Sequence, residues 1–92
     1  MQKLSSKEIR ELRTQSAQLE PTTVIGKRGL TPEVDTLILN ALEKNNLIKV
    51  TIRTNAFDDR KGEAIKMAEK YNAVIVRQIG SSLILYRIPS ED

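Results

Sequence analysis

The sequence predicts a domain of the α/β class, more narrowly a two-layer α+β fold in which helices pack on a four-stranded mixed sheet. Three segments carry apolar residues at helical spacing and four shorter segments are apolar or alternating, in the order α-β-α-β-α-β-β. Strands that alternate with helices favour a parallel pair joined by right-handed crossovers. Gly80-Ser81-Ser82, between the last two strands, indicates an antiparallel hairpin. The 92 residues are enough for a single domain, residues 1–92, with one modest core.

The first helix is predicted from Ser5 to Leu19. Ser5 is a suitable N-cap, and Glu8 stands three positions later, which is the spacing of a capping box. Glu20-Pro21 ends the helix, because proline cannot continue it and restricts the residue before it. The side predicted to face the core consists of Ile9, Leu12, Ser16 and Leu19.

The second helix follows a short strand, Thr22 to Ile25, and a glycine loop. Thr31 is its predicted N-cap, and Pro32 at the first helical position has no N–H that would need a partner. The helix is predicted to end at Asn46, a residue type that tolerates the left-handed backbone conformation. Its predicted buried face consists of Val34, Leu37, Ile38, Ala41 and Leu42.

The segment Leu47 to Thr54 is predicted as a strand, because its apolar and polar residues alternate. Ile48, Val50 and Ile52 are expected on a buried face, and the opposite face is expected to be exposed to solvent.

A third helix is predicted from Asp58 or Asp59 to about Tyr71, with Asn72 as its stop. Its inner side is predicted to consist of Ala64, Met67, Ala68 and Tyr71. Two apolar strands, predicted over Ala73 to Ile79 and Leu83 to Ile88, complete the domain.

The composition excludes most catalytic chemistry. The chain contains no cysteine and no histidine, so thiolate nucleophiles, imidazole bases and ordinary zinc sites are absent. The acidic pairs Asp58-Asp59 and Glu91-Asp92 suit a helix start and a terminal segment better than paired acid–base groups. We therefore expect no enzyme activity, no metal, no cofactor and no small-molecule substrate. No apolar run approaches the roughly 18 residues of a membrane span and no signal peptide is recognisable, which predicts a cytoplasmic protein with no membrane partner.

The net charge of +3 is concentrated in the first third of the sequence. Residues 1–30 contain six cations and three anions, whereas the two signs balance over residues 31–62 and over residues 63–92. Three of the cations, Lys7, Arg10 and Arg13, lie together on one side of the predicted first helix. They form either an ordinary solvated helix face or a basic stripe that extends a nearby binding site. The asymmetry favours a polyanionic partner.

The segment Gly26-Lys27-Arg28-Gly29 is the strongest candidate for a binding site. It is a G-x-x-G loop between a strand and a capped helix start, where unpaired N–H groups and the helix dipole favour a phosphate. The spacing alone is weak evidence, because two glycines can also merely shape a turn. KH domains clamp a nucleic-acid backbone with such a loop, although that analogy concerns the loop and not the fold.

Four runs of the sequence carry a resemblance to a known family. They are Ile25-Gly26-Lys27-Arg28-Gly29-Leu30-Thr31, Leu47-Ile48-Lys49-Val50, Gln78-Ile79-Gly80 and Leu85-Tyr86-Arg87. They resemble the CRM domain, named for chloroplast RNA splicing and ribosome maturation, and in particular its stand-alone YhbY-type members. The resemblance spans essentially the whole chain.

The resemblance implies an RNA-binding domain with a fold similar to the C-terminal domain of bacterial initiation factor three. It implies a strand order of 1-2-4-3 with the fourth strand antiparallel to the others, and it makes Gly26, Lys27, Arg28 and Gly29 the RNA-contacting loop. It also implies association with ribosomal RNA or with a precursor of the large ribosomal subunit.

The sequence therefore predicts a non-catalytic, monomeric RNA-binding protein of ribosome biogenesis. The predicted RNA-binding residues are Gly26, Lys27, Arg28, Gly29, Lys7, Arg10 and Arg13. Two alternatives stay open. An Alba-like protein that coats DNA or RNA would share the general architecture and the strand-loop start Val24-Ile25-Gly26-Lys27. A protein-interaction adaptor would instead use the sheet face that carries Lys49 and Arg53.

Overall fold

The computed structural model describes residues 4–26, 29–53 and 60–89, and it confirms the predicted fold class and element order. The three helices are α1 (Ser6–Ser16), α2 (Pro32–Asn45) and α3 (Arg60–Lys70). The four strands are β1 (Pro21–Ile25), β2 (Leu47–Ile52), β3 (Val74–Ile79) and β4 (Ser82–Tyr86). Within these described ranges, no helix is long and apolar enough to cross a membrane.

The strands form one sheet in the order β1-β2-β4-β3, as the family resemblance implies. β1 and β2 are parallel and are joined through α2, whereas β4 runs antiparallel to both β2 and β3. The β3–β4 hairpin turns at Gly80, whose φ of 53° is a conformation that glycine adopts without steric cost. β1 and β3 are consequently the two edge strands.

Local sequence signals set the start of α1 and the ends of α2 and α3 close to where they are predicted. The Ser5 hydroxyl accepts a hydrogen bond from the Glu8 N–H, and the Glu8 carboxylate accepts one from the Ser5 N–H, both at 3.1 Å. Asn46 and Asn72 follow α2 and α3 with φ values of 64° and 53°, in the left-handed region that asparagine tolerates. The predicted cap of α3, Asp58 or Asp59, lies outside the described residues.

The prediction that the first helix extends to Leu19 is wrong, since α1 ends at Ser16. The N–H groups of Ala17, Gln18 and Leu19 instead bond to carbonyls three residues earlier, at 3.4, 3.3 and 3.1 Å. This tightening is common where a helix ends. It lets the chain leave the helix direction before β1 begins at Pro21.

The main core lies between one face of the sheet and the helices α2 and α3. Its buried residues are Ile25, Ile38, Leu42, Ile48, Val50, Ile52, Ala64, Met67, Ala68, Tyr71, Leu83 and Leu85. The predicted inner residues of β2 and α3 are all among them. Leu37 is the exception on α2: it was predicted to be buried, but its side chain is 50% exposed. At about 100° per residue, Leu37 falls at the margin of a stripe centred on Val34, Ile38 and Leu42.

The opposite face of the sheet is partly covered by α1. A second buried cluster of Leu47, Val76 and Ile84 lies there, and Ile9, Leu12 and Leu19 pack against it. The predicted inner side of α1 is therefore confirmed. The expectation that this face of β2 is simply exposed is wrong, because Leu47 is buried and Lys49 and Thr51 are half-buried. α1 adds a third, partial layer to the predicted helix-on-sheet arrangement.

Candidate nucleic-acid interface

The glycine loop joins the buried end of β1 to the start of α2. Ile25 is fully buried and Gly26 is exposed. The Gly29 N–H donates a 2.9 Å hydrogen bond to the Gly26 carbonyl, which closes the segment as a four-residue turn. Gly29 has a φ of 67°, a conformation that favours glycine, whereas Gly26 does not have a positive φ. Lys27 and Arg28 lie between the glycines and outside the described residues.

Gly26 and Gly29 have different structural roles in the loop. At Gly29 the backbone conformation itself disfavours most side chains. At Gly26 an added Cβ would meet no atom of the described residues within 4 Å. The fold therefore favours a glycine at position 29, whereas the described residues leave space at position 26, where a ligand could approach the backbone.

The start of α2 is held by a cap and by two side chains at and just beyond the C-terminal end of α3. The Thr31 hydroxyl accepts a hydrogen bond from the Val34 N–H at 3.2 Å. Asp35, in the first turn, accepts a 2.6 Å bond from the Lys70 ammonium and a short one from the Tyr71 hydroxyl. These two bonds hold the pKa of Asp35 below its usual value, and burial together with the bond to Asp35 raises the pKa of Tyr71. The negative charge of Asp35 is thus paired rather than directed at the loop.

Arg13, one of the three α1 cations, does not lie beside the loop. Lys7, Arg10 and Arg13 are exposed, and the Arg13 Nε–H donates a 3.2 Å bond to the Val76 carbonyl of β3. β3 and β1 are opposite edges of the sheet, three strand intervals or about 14 Å apart. Arg13 and the loop are therefore separated by the width of the sheet, and the RNA contacts of the α1 cations and of the loop stay predictions.

Two further cations, Lys49 and Arg77, lie on the sheet face between Arg13 and the loop. Neither is predicted from the sequence to be an RNA-binding residue. Lys49 of β2 and Arg77 of β3 flank Ile84 of β4 in one cross-strand row, on the face that α1 partly covers. Neither side chain forms an ion pair within the part of the chain that the structure describes. The side that Arg77 faces depends on a register shift in β3 between Ile75 and Arg77. The alternation of residues along β3 does not reveal that shift. The only signal in the sequence of this strand is that Arg77 is a charged residue in a mostly apolar segment.

The described residues do not form a centre for metal chemistry. No group of three or more His, Cys, Asp or Glu that could hold a metal ion occurs among residues 4–26, 29–53 and 60–89. What these residues do present is a glycine turn before the start of α2 and cations on one face of the sheet. That arrangement can bind a polyanion.

Comparisons with known proteins identify relatives over nearly the whole chain. The family model described as "CRS1 / YhbY (CRM) domain" matches residues 4–87. The Bacillus subtilis protein named "Probable RNA-binding protein YqeI" is 30% identical over 89 residues, which cover 97% of this chain and 93% of that protein. A Haemophilus influenzae protein named "RNA-binding protein" is 36% identical over 95 residues, which cover 100% of this chain and 92% of that protein.

A solved structure has the same fold. The solution structure of the Staphylococcus aureus protein SAV1595 is similar to this chain with a TM-score of 0.80 and 34% sequence identity. The similarity covers 98% of this chain and 94% of that one. The family match, residues 4–87, spans the loop, the three helices and all four strands.

Proposed function

This chain belongs to the CRS1/YhbY (CRM) domain family, and we propose that it is a non-catalytic, monomeric, cytoplasmic RNA-binding protein that associates with ribosomal RNA or the pre-ribosomal large subunit. It binds through Gly26, Lys27, Arg28 and Gly29. The family match supports RNA as the partner, since relatives of this length are named as RNA-binding proteins. The Alba-like alternative is not carried further, because the family is the CRM family.

The observation that carries the proposal is the contrast between the two loop glycines. Gly29 is favoured by its backbone conformation, whereas Gly26 is exposed and no atom of the described residues lies within 4 Å of where its Cβ would be. A glycine that the fold does not need is explained by a ligand that approaches the backbone closely. The loop therefore has a feature that a mere turn does not require.

A phosphate is the ligand that this junction suits best. Backbone N–H groups near a helix start and the positive end of the helix dipole both attract an anion. Lys27 and Arg28 add two positive charges at the same place in the sequence. Asp35, the acidic residue one turn into α2, is paired with Lys70 and opposes the anion less than a free carboxylate would.

Contacts with the RNA backbone, rather than base stacking on aromatic rings, dominate the binding. Only three aromatic residues occur in the chain. Tyr71 is fully buried in the core and Tyr86 is half-buried against the α1 cluster, while Phe57 lies outside the described residues. An exposed aromatic platform of the kind used by RRM domains is thus not available among the described residues. Isolated binding should accordingly depend strongly on salt and weakly on sequence.

The loop is tested by replacing both of its cations, Lys27→Ala with Arg28→Ala, and measuring affinity for single-stranded RNA over a range of salt concentrations. Each lost phosphate contact lowers the slope of log K against log salt by about 0.7, so the double variant should bind more weakly with a slope reduced by about 1.4. Lys44→Ala, an exposed cation in the last turn of α2, is the control and should keep the wild-type slope. Equal affinity of wild type and double variant at low salt would refute the loop assignment.

The identity of the RNA needs a separate experiment in cells. Ultraviolet crosslinking followed by sequencing of the bound RNA should enrich ribosomal RNA, with large-subunit precursor sequences above mature ones. Crosslinked RNA in which ribosomal sequences are not enriched over the input would contradict the ribosomal assignment and leave RNA binding itself intact.

A further inference from the structure

The sheet face beside the glycine loop carries a continuous row of residues that are exposed or half-buried beside α1. Val24 pairs with Thr51, Thr51 with Ser82, and Ser82 with Ile79, so that the row crosses all four strands. The two apolar ends of the row, Val24 and Ile79, are 43% and 51% exposed. Val24 is two residues before Gly26, which places this row at the loop end of the sheet.

A cleft opens between this row and the C-terminal end of α1. Its volume is about 230 Å³, and Ser16, Lys49, Arg77, Ile79, Ser82 and Ile84 line it. Typical sites for drug-sized ligands measure roughly 300–1,000 Å³, so this cleft suits one small group such as a single planar ring. Ile79 and Ile84 provide apolar surface, and Ser82 provides a hydroxyl.

The charge of the cleft points to an anionic ligand. Among the described residues, Lys49 and Arg77 are the ionisable side chains that line it, and neither is paired there with a carboxylate. Apolar surface next to two unpaired cations is complementary to a nucleotide, whose base is flat and largely apolar on its faces and whose phosphate is negative. Arg77 can also stack its planar guanidinium on a base.

The cleft lies close enough to the loop for one RNA strand to contact both. Ser82 is two strand intervals from Val24, about 10 Å across the sheet. A single strand covers that distance in a few nucleotides. Beyond the cleft, Arg13 reaches β3 at Val76, next to Arg77, so a strand that leaves the cleft would meet the basic side of α1.

We propose that this cleft holds one unpaired nucleotide of the bound RNA, with the base against Ile79 and Ile84 and the phosphate between Lys49 and Arg77. The proposal rests on the proposed RNA-binding function and adds a specificity to it. A base within a perfect duplex is stacked and paired and cannot enter the cleft, whereas the loop contacts only the backbone. The protein should therefore prefer RNA with unpaired nucleotides over a fully paired duplex.

The test compares two RNA probes, a single-stranded oligonucleotide and a blunt-ended duplex of the same length, by fluorescence anisotropy. Arg77→Gln with Ile79→Ala removes one cation and one apolar wall of the cleft, and both side chains are exposed, so the fold should be kept. This variant should lose about fivefold or more in affinity for the single strand and less than about twofold for the duplex. Lys44→Gln, on α2 and away from the cleft, should lose affinity for neither probe.

The outcomes separate this inference from the proposed function. Lys27→Ala with Arg28→Ala should weaken binding of both probes, because the loop binds backbone. An equal loss for both probes in the cleft variant, or no loss for the single strand, would overturn the cleft and leave RNA binding through the loop standing. Wild-type protein that binds neither probe would overturn the proposed function, and the cleft with it.

A second measurement does not depend on mutation. RNA that carries a photoreactive 4-thiouridine at one unpaired position should crosslink to the β3–β4 segment that includes Ile79 and Ser82. Crosslinks confined to peptides outside the cleft would refute the placement of the nucleotide.

Discussion

Replacing Gly26 with alanine separates the structural role of a loop glycine from its binding role. The Cβ of Gly26→Ala would meet no atom of the described residues within 4 Å, and the backbone there does not have a positive φ. The folded state should therefore accept the methyl group without strain. Because alanine has fewer unfolded conformations than glycine, the variant should be as stable as the wild type or up to about 1 kcal/mol more stable.

Gly29→Ala provides the opposite case in the same loop. Its φ of 67° forces an alanine into the left-handed region, which costs roughly 1–2 kcal/mol. For a domain of this size, each kcal/mol corresponds to a shift of about 4–8 °C in the melting temperature. Gly29→Ala should therefore melt at least about 4 °C below the wild type, and Gly80→Ala, with a φ of 53° in a different loop, is its matched control for strain.

The binding assay decides whether Gly26 contacts RNA. If a phosphate approaches the Gly26 backbone, the added methyl group displaces it and removes a charge-assisted hydrogen bond of about 1.5–3 kcal/mol, or about tenfold or more in affinity. Thermal unfolding by circular dichroism and fluorescence anisotropy on single-stranded RNA measure the two effects independently. Wild-type affinity in a stable Gly26→Ala protein would refute the close approach at this position.

The remaining predictions concern the scaffold behind the loop. Asp35→Ala leaves the hydroxyl of the buried Tyr71 without its acceptor and should cost about 1–3 kcal/mol by urea unfolding, whereas Lys70→Gln, which removes an exposed partner, should cost less than about 1 kcal/mol. The fold lowers the pKa of Asp35, so the contribution of its carboxylate to the free energy of unfolding is complete above the ordinary pKa of 3.8 and is lost as the pH falls below that value. Asp35→Asn should therefore make the free energy of unfolding depend less on pH in the acid range. The pKa of Tyr71 is raised, so the stability should fall as the pH rises above the ordinary value of 10.0, and Tyr71→Phe should remove that dependence. Thr31→Ala removes the N-cap of α2 and should cost about 1 kcal/mol, and Leu42→Ala in the core should cost about 2–5 kcal/mol, both by urea unfolding.

Features set by neighbours in the sequence were predictable. The capping box of Ser5 and Glu8, the Thr31 cap and the left-handed Asn46 and Asn72 each depend on a few consecutive residues. Those residues are neighbours in the chain whether or not it is folded, so their interactions can be inferred from the sequence. For this reason the order and type of all seven elements could be inferred without coordinates.

Features that depend on packing between distant segments were not predictable. Leu37 fits the apolar spacing of α2 but lies at the margin of its stripe, and the described elements leave it 50% exposed. The partial cover on Lys49 comes from α1, a helix more than thirty residues earlier in the chain. The alternation of β2 shows which residues share a face, but it does not say what packs there.

The candidate site likewise has one part that could be predicted from the sequence and one part that could not. The glycine loop is contiguous in sequence and could be found by its motif and by the charge around it. The cleft is assembled from α1, β2, β3 and β4, and Arg77 joins it only because a register shift reorients part of β3. No spacing rule connects those four segments.

The register shift in β3 and the Arg13 side chain that bonds to this strand also disfavour pairing between the sheets of two copies of the protein. An edge strand exposes unpaired N–H and C=O groups to which a second chain can add by strand pairing. On β3 the register is broken next to Val76, and the Val76 carbonyl already accepts a bond from Arg13. On the other edge, β1 is five residues long and begins with Pro21, which has no N–H to offer. Both edges of the sheet therefore carry features that disfavour strand pairing with a second copy of this chain.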